Sequence, residues 1–217
     1  MLNLDFTQQV TIDTTDAEWR PSPMAGVWRK PLAREAAERG HATSIVRYDP
    51  GSRFSAHDHP LGEEILVLDG IFSDHTGDFR AGTYLRNPPG FRHAPFSHEG
   101  CLLLVKLHQF QPDDLAHLSV DTLAGEGWTV QHGIATLPLH SWGSEQVSQL
   151  RLEPGQAITA QQLQDGAEIY VLRGALQQPG EELGAGCWAR YPVGWQHDLI
   201  TGREALVWLK QGHLPAT

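Results

Sequence analysis

Apolar residues in this chain gather in short runs rather than along a helical stripe. EEILVLDG (63–70), CLLLVKLH (101–108), AEIYVLRG (167–174) and EALVWLKQ (204–211) lie between close-set Gly, Pro, Asp or Ser clusters. Runs of four to eight apolar positions between such breakers predict β-strands. Helical periodicity is weak, and PLAREAAER over 31–39 is the segment that predicts a short helix. Many short strands with turn signals point to a sandwich or barrel, and about 100 residues per domain suits a jelly roll. Residues 1–40 are expected to add an extra strand and a turn. Residues 111–141 are expected to hold a connection that feeds the first strands of the second domain.

A second pattern overlies the first. Shifting the chain by 104 residues lays Pro50-Gly51 on Pro154-Gly155 and EILVLDG on EIYVLRG, without a gap. The same shift places Ala81-Gly82 on Ala185-Gly186, Arg86 on Arg190 and Pro88 on Pro192. It also places Gly90 on Gly194, His93 on His197 and Lys106 on Lys210. Recurring glycines and prolines are what two copies sharing the same turns require. The expected division is therefore residues 1–115, one barrel with an N-terminal extension, and 116–217, a second barrel.

Composition narrows the partners. The 217 residues carry 16 Lys and Arg against 26 Asp and Glu, a formal net charge of -10. That balance argues against nucleic acid and against anionic membrane surfaces, since both need a basic face. The start, MLNLDFTQQVTIDTTDAEW, has no basic opening or apolar core of a signal peptide, and no apolar run approaches a membrane span. The expectation is a cytoplasmic protein. Cys101 and Cys187 sit beside apolar residues and are expected to be buried free thiols.

The first copy also carries a constellation that the second lacks. Gly51 is followed by His57-Asp58-His59, then Glu63, then Gly70; Gly82 leads to Pro88, Gly90 and His93. Side chains alternate along a strand, so His57 and His59 share a face. The bend at Pro60-Leu61-Gly62 returns Glu63 to that face, and the Pro88-Pro89-Gly90 turn aims His93 towards it. Three imidazoles and one carboxylate suit a borderline divalent ion: zinc, iron, manganese, nickel or copper. A hydrogen-bonded histidine cluster without metal is the weaker reading, because four ligand types fall within two patterned segments.

These segments resemble the two cupin motifs, G(X)5HXH(X)3–4E(X)6G and G(X)5PXG(X)2H(X)3N, with Ser97 standing where the second expects Asn. The runs HDHPLGEEILVLDGIFSD, GTYLRNPPGFRH and EGCLLLVK further resemble the cupin of ChrR-type anti-sigma factors, over roughly residues 26–110. The resemblance implies an all-β chain of two tandem cupin barrels, RmlC-like jelly rolls built as double-stranded β-helices. It implies one divalent metal ion, zinc ahead of iron, manganese or nickel, on His57, His59, Glu63 and His93. Glu64 is the alternative carboxylate, but it recurs as Glu168, which favours a structural role.

The shifted counterparts of the four ligands are Gln161, Leu163, Ala167 and His197, too poor a set to hold an ion. His197 is then expected to be a hydrogen-bonded core histidine. The second barrel is expected to act as a packing partner rather than as a small-molecule pocket. Tyr84 and Arg86 share a face, and because Arg86 recurs as Arg190, an ion pair that holds the fold is the expectation for both; Lys106 and Lys210 follow the same argument. Phe54, Phe72 and Tyr84 are candidates to line the metal pocket. Of His75, His98, His108, His117, His132 and His140, only His108 is placed near the ligands.

For function, the resemblance implies a sensor or small-ligand-binding protein that responds to oxidants or reactive small molecules. The sigma-binding helical domain of that family, with its own His/Cys zinc site, has no counterpart in residues 1–40, so sigma-factor binding is not expected. The alternative is a mononuclear iron dioxygenase acting on diketones or hydroxyaryl ketones. The expected partners are a small molecule at the metal and a second copy of the chain as a homodimer. The residues leave open whether the protein is an enzyme.

Overall fold

The computed structural model describes residues 1–36 and 40–215. They fold into two compact units, residues 1–4 with 18–124 and residues 5–17 with 125–217. Each is a β-barrel of antiparallel strands. Among the described residues no helix is long and apolar enough to cross a membrane.

In the first unit the main sheet runs in the order Leu118–Asp121, Thr83–Asn87, Glu63–Asp74, Cys101–Leu107, Ala42–Tyr48, Val27–Arg34 and Arg20–Pro21. The strand Glu63–Asp74 continues past the main sheet to pair with Gly77–Arg80 and Phe96–Ser97. A separate two-stranded ribbon pairs His57–Asp58 with Arg92–His93. Gly70 permits the bend in the long strand: its φ is 71°, and a Cβ there would lie 2.1 Å from the Gly100 carbonyl oxygen. Gly174 repeats this contact in the second unit, at 2.2 Å from the Glu204 carbonyl.

Period-two alternation sorts the long strands into two faces. Val46, Tyr48, Ile65, Val67, Leu85, Leu103 and Val105 pack inside the first barrel with Val27 and Phe72. The alternate face carries Glu64, Tyr84, Arg86 and Lys106, all nearly fully buried. Arg86 Nη2 meets Asp114 at 2.5 Å and Nη1 meets Glu64 at 3.5 Å, while the Tyr84 hydroxyl donates to Glu64 at 3.0 Å. Lys106 donates to Thr43 at 3.0 Å, and in the second unit Lys210 pairs with Glu145 at 2.9 Å. Arg86 and Lys210 thus form the buried ion pairs expected of them, while Arg190 donates to the Asp5 carbonyl at 2.9 Å.

The second unit repeats the sheet: Val10–Asp13, Cys187–Val193, Asp165–Arg173, Ala205–Gln211, Glu145–Leu152, Ile134–Trp142 and Thr129–Gln131. Two sequence expectations change here. The division falls between residues 124 and 125 rather than at 115/116, and residues 5–17 belong to the second unit instead of extending the first. Both shifts have one cause: the strand that carries Arg86 or Arg190 needs a neighbour on its open edge. Leu118–Asp121 provides it in the first unit and Val10–Asp13 in the second.

The helix expected over 31–39 does not form across its first residues. Pro31–Arg34 end the strand Val27–Arg34, which pairs with Ala42–Tyr48 through a register shift between Pro31 and Ala33. Residues 37–39 lie outside the described residues. Local helix preference in so short a segment is weak beside a ladder that buries Leu32 and Ala33. The helix that does form, Ala160–Leu163, opens on a capping box between Thr159 and Gln162.

Cys101 and Cys187 are free and buried. Burial pushes the Cys101 thiol up to about 11 and raises that of Cys187. Both thiols should therefore resist iodoacetamide at pH 8 in the native protein and react fully in denaturant; rapid native labelling would contradict their burial. Arg86→Ala leaves two buried carboxylates short of their guanidinium, and should cost about 3–5 kcal/mol in urea unfolding.

Candidate metal centre

The ribbon of His57–Asp58 and Arg92–His93 aligns His57 directly with His93. His59 follows on the His57 face, and Glu63 opens the long strand. The donor nitrogens of His57, His59 and His93 all lie within 4.8 Å of one another. His59 Nε2 is 3.0 Å from His93 Nε2, and Glu63 Oε2 lies 3.4 Å from the first and 3.5 Å from the second. Metal–nitrogen bonds of about 2.0–2.1 Å put neighbouring donors about 2.9 Å apart at a right angle and about 3.4 Å apart at a tetrahedral one. The spacings among His59, His93 and Glu63 fall at the edge lengths of a coordination polyhedron, and His57 lies within 4.8 Å of the other two imidazoles, so the residues fit a divalent ion.

Neighbouring groups orient the donors. His93 Nδ1 lies 3.0 Å from Asp74 Oδ2, and His57 Nδ1 lies 2.7 Å from the Ser55 carbonyl oxygen. A carboxylate and a carbonyl can only accept, so both rings carry their proton on Nδ1 and present the Nε2 lone pair inward. Asn87 Nδ2 donates to Glu63 Oε2 at 3.0 Å.

The electrostatics of His59 and Glu63 agree with ligand duty. Burial lowers the His59 pKa and keeps that ring neutral, although Glu63 opposes the shift. Burial works against the Glu63 carboxylate, but His59, His93 and the Asn87 hydrogen bond outweigh it and hold the group ionised. Burial also disfavours a charged His93, yet Asp74 and Glu63 raise its pKa. Asp74 itself sits at about 2, with His93 and Thr76 overcoming its burial.

Several expected neighbours find their places. Phe54 packs on His57 with ring centroids 4.8 Å apart, and Phe72 lies 6.3 Å from His93. Tyr84 does not line the site; it serves Glu64 on the opposite face. His108 lines a cavity of about 260 Å³ beside His57 and His59, together with Arg29 and Arg34. Ser97, at the motif's Asn position, donates to the Ile71 carbonyl at 2.6 Å and stays out of the donor cluster. His75 stacks on Phe91, and His117 packs against the same ring at a tilt.

Asp74, Asn87, Arg29 and Tyr48 were not singled out in the sequence. For Asn87 a signal existed: Arg86 faces away from the barrel interior, so its neighbour on the strand must face inward. Asp74, eleven residues beyond Glu63, fits no ligand spacing and emerges only when the long strand folds back past His93.

In the second unit the corresponding arrangement is gone. The helical turn Ala160–Leu163 occupies the place of the strand His57–Asp58. Leu163 and Ala167 are fully buried in the core, and Gln161 is exposed. Tyr191 and Gln178 stand at the positions of Asn87 and Asp74, and the Tyr191 hydroxyl donates to Gln178 Oε1 at 2.9 Å. His197 corrects an expectation: it is exposed beside Trp195 rather than a core histidine. With a helical turn in place of the partner strand, no ribbon draws it inward.

Comparison with known proteins gives this arrangement its context. The pattern defining the ChrR cupin-like domain matches residues 7–111 and again 117–215. The chain belongs to the ChrR cupin-like family. No curated protein matches it. Among solved structures, this ChrR cupin-like protein is similar to a candidate dioxygenase from Nostoc punctiforme, at 16% identity and a TM-score of 0.76, covering 97% of this chain and 85% of that one. It is also similar to a pirin from Escherichia coli in complex with nickel(II), at 12% identity and a TM-score of 0.71, covering 97% and 100%. Oxalate decarboxylase from Bacillus subtilis follows at 15% identity and a TM-score of 0.62, covering 92% and 76%. At these identities the likeness concerns the fold.

His59→Ala or His93→Ala should weaken zinc binding, measured by competition with a chromophoric chelator, at least about 100-fold. Asp74→Asn should weaken it about 10–100-fold through the ring it orients, and His197→Ala should leave it unchanged. Equal losses in all four variants would sink the one-site account.

Proposed function

We propose that the first barrel of this ChrR cupin-like protein holds one divalent ion on His57, His59, Glu63 and His93, and that a small molecule binds directly at that ion. The observation that carries this reading is the donor cluster itself, which borders two cavities of about 260 and 70 Å³. Four protein donors leave one or two positions free on a five- or six-coordinate ion. Such an ion supplies Lewis acidity and, where it is redox-active, an electron.

The surrounding residues favour binding over acid–base chemistry. Glu63 is committed to the donor cluster, and Asp58 pairs with Arg92 at 3.0 Å. Burial, and then Glu63, raise the Tyr48 phenol far beyond the range of a base. A ligand-binding or sensing role, with oxidants acting on the centre, is therefore the primary reading. Zinc would serve it only in a five-coordinate state, since four protein donors close a tetrahedral zinc site.

The second reading is a mononuclear iron dioxygenase. It gains support from the candidate dioxygenase among the similar folds, and from the fact that oxygen chemistry at iron needs no separate protein base.

Oxygen uptake separates the two readings. Protein loaded anaerobically with iron(II), then given air and acetylacetone, should consume no dioxygen beyond the oxidation of its own iron. Sustained oxygen uptake stoichiometric with loss of the diketone would overturn the sensing reading in favour of the dioxygenase.

A further inference from the structure

Leu163, Ala167 and Tyr191 fill the interior of the second barrel, which leaves its rim as the place open to a ligand. There the helical turn Ala160–Leu163 and the loop beyond Pro192 border an open cleft of about 360 Å³. That lies within the range of roughly 300–1,000 Å³ usual for small-ligand sites. The two segments are tied together: Gly194 N donates to the Gln164 carbonyl at 2.7 Å, and Ala160 N to Asp198 Oδ1 at 2.7 Å. The shape of the cleft is thus fixed by backbone groups on both sides.

Trp195 lines this cleft. Its half-buried ring packs on Tyr191 with centroids 4.8 Å apart, and its Nε1 donates to the His197 carbonyl at 2.8 Å. The indole is therefore held in place with its polar atom already used. The 104-residue shift lays Phe91 on Trp195, and in the first unit the imidazoles of His75 and His117 lie against the Phe91 ring. Among the described residues the ring partners of Trp195 are Tyr191 and His197 instead. Three carboxamides join the indole: Gln161 and Gln164 from the helical turn and Gln196 from the loop. All three are exposed, and among the described residues their side chains make no hydrogen bond. No charged residue lines the cleft.

Each carboxamide offers two N–H donors and a carbonyl acceptor, a set that hydroxyls, which both donate and accept, can satisfy. The face of an indole is negative and attracts the C–H bonds of an apolar ring face. An uncharged lining gives an ionic ligand no counter-charge. A neutral, hydroxyl-rich molecule with one flat apolar face meets all three demands. We infer that this cleft is a saccharide-binding site, with a pyranose face on Trp195 and its hydroxyls shared among Gln161, Gln164 and Gln196. A nucleobase would also stack, but it carries its donors and acceptors along flat edges. The amides here stand on two segments, as hydroxyls stand around a sugar ring. The site belongs to the second unit and does not depend on the metal centre of the first.

The test is saturation-transfer NMR on the full chain with glucose, galactose and mannose, each titrated to tens of millimolar. Sorbitol and adenosine serve as comparisons. At least one pyranose should show saturable transfer, strongest at its ring C–H protons. Sorbitol, which has the hydroxyls without the ring face, should show none. Gln161→Ala and Gln196→Ala change exposed side chains and should each raise the sugar Kd about three- to tenfold, the loss expected for a neutral hydrogen bond. Trp195→Ala should abolish the signal and Trp195→Phe should keep part of it, while His59→Ala should bind sugar as the wild type does. Disaccharides of the pyranose that binds separate two sources. A Kd at least about tenfold lower marks the end of an oligosaccharide chain as the ligand, and a smaller gain or none marks a free sugar. Four results each overturn the inference: no saturable pyranose binding, an unchanged Kd in both glutamine variants, loss of binding in His59→Ala, or adenosine binding more tightly than every pyranose.

Discussion

A carboxylate inside an apolar barrel must be matched by positive charge and hydrogen-bond donors, and Glu63 sets that demand in the first unit. Only 7% exposed, it has imidazole nitrogens at 3.4 and 3.5 Å and the Asn87 amide at 3.0 Å. Around it the barrel spends its polar interior positions in a fixed order. His57 and His93 are brought level by the ribbon, their tautomers are set by Ser55 and Asp74, and apart from Arg29 and Tyr48 the rest of the wall is apolar. A divalent ion at the centre of this arrangement would balance the carboxylate and take up the imidazole lone pairs. The same ion would explain why imidazole nitrogens converge to 3.0 Å inside a barrel whose other contacts are apolar.

The second unit shows what the fold does without that demand. Ala167 replaces Glu63, and nothing charged remains at the barrel centre to be neutralised. Leu163 fills a ligand position, and a Tyr191–Gln178 hydrogen bond closes the space that Asn87 and Asp74 border in the first unit. The structural residues recur, with different partners: the arginine on the outer sheet face, the lysine of the last strand, and the glycine at the strand bend. Loss of the site without loss of the barrel argues that donors and scaffold are separable.

Much of this was legible in the sequence, for a physical reason. Strand runs, turn glycines and the 104-residue shift all depend on local chemistry, and the four donors occupy positions with period-two and turn logic. What stayed hidden depends on contacts between distant segments. Val10–Asp13 reads as an extension of the first barrel until the open edge at Cys187–Val193 claims it. Pro31–Arg34 reads as helix until it pairs with Ala42–Tyr48. His197 aligns with a ligand, but its fate was decided by the helical turn at Ala160–Leu163, whose capping box at Thr159 and Gln162 was present in the sequence and went unread. Asp74 and Tyr48 carry no spacing signal, because their roles arise from the closure of the barrel around the donors.

The central claim is that Glu63 and three imidazoles hold a metal ion. Elemental mass spectrometry of the wild-type protein, purified without chelator or added metal, tests it most directly. The account predicts about one divalent ion per chain, because converging imidazoles and an ionised carboxylate bind a divalent metal tightly. Protein that emerges metal-free, and stays so after incubation with zinc, iron(II), manganese or nickel, would contradict it.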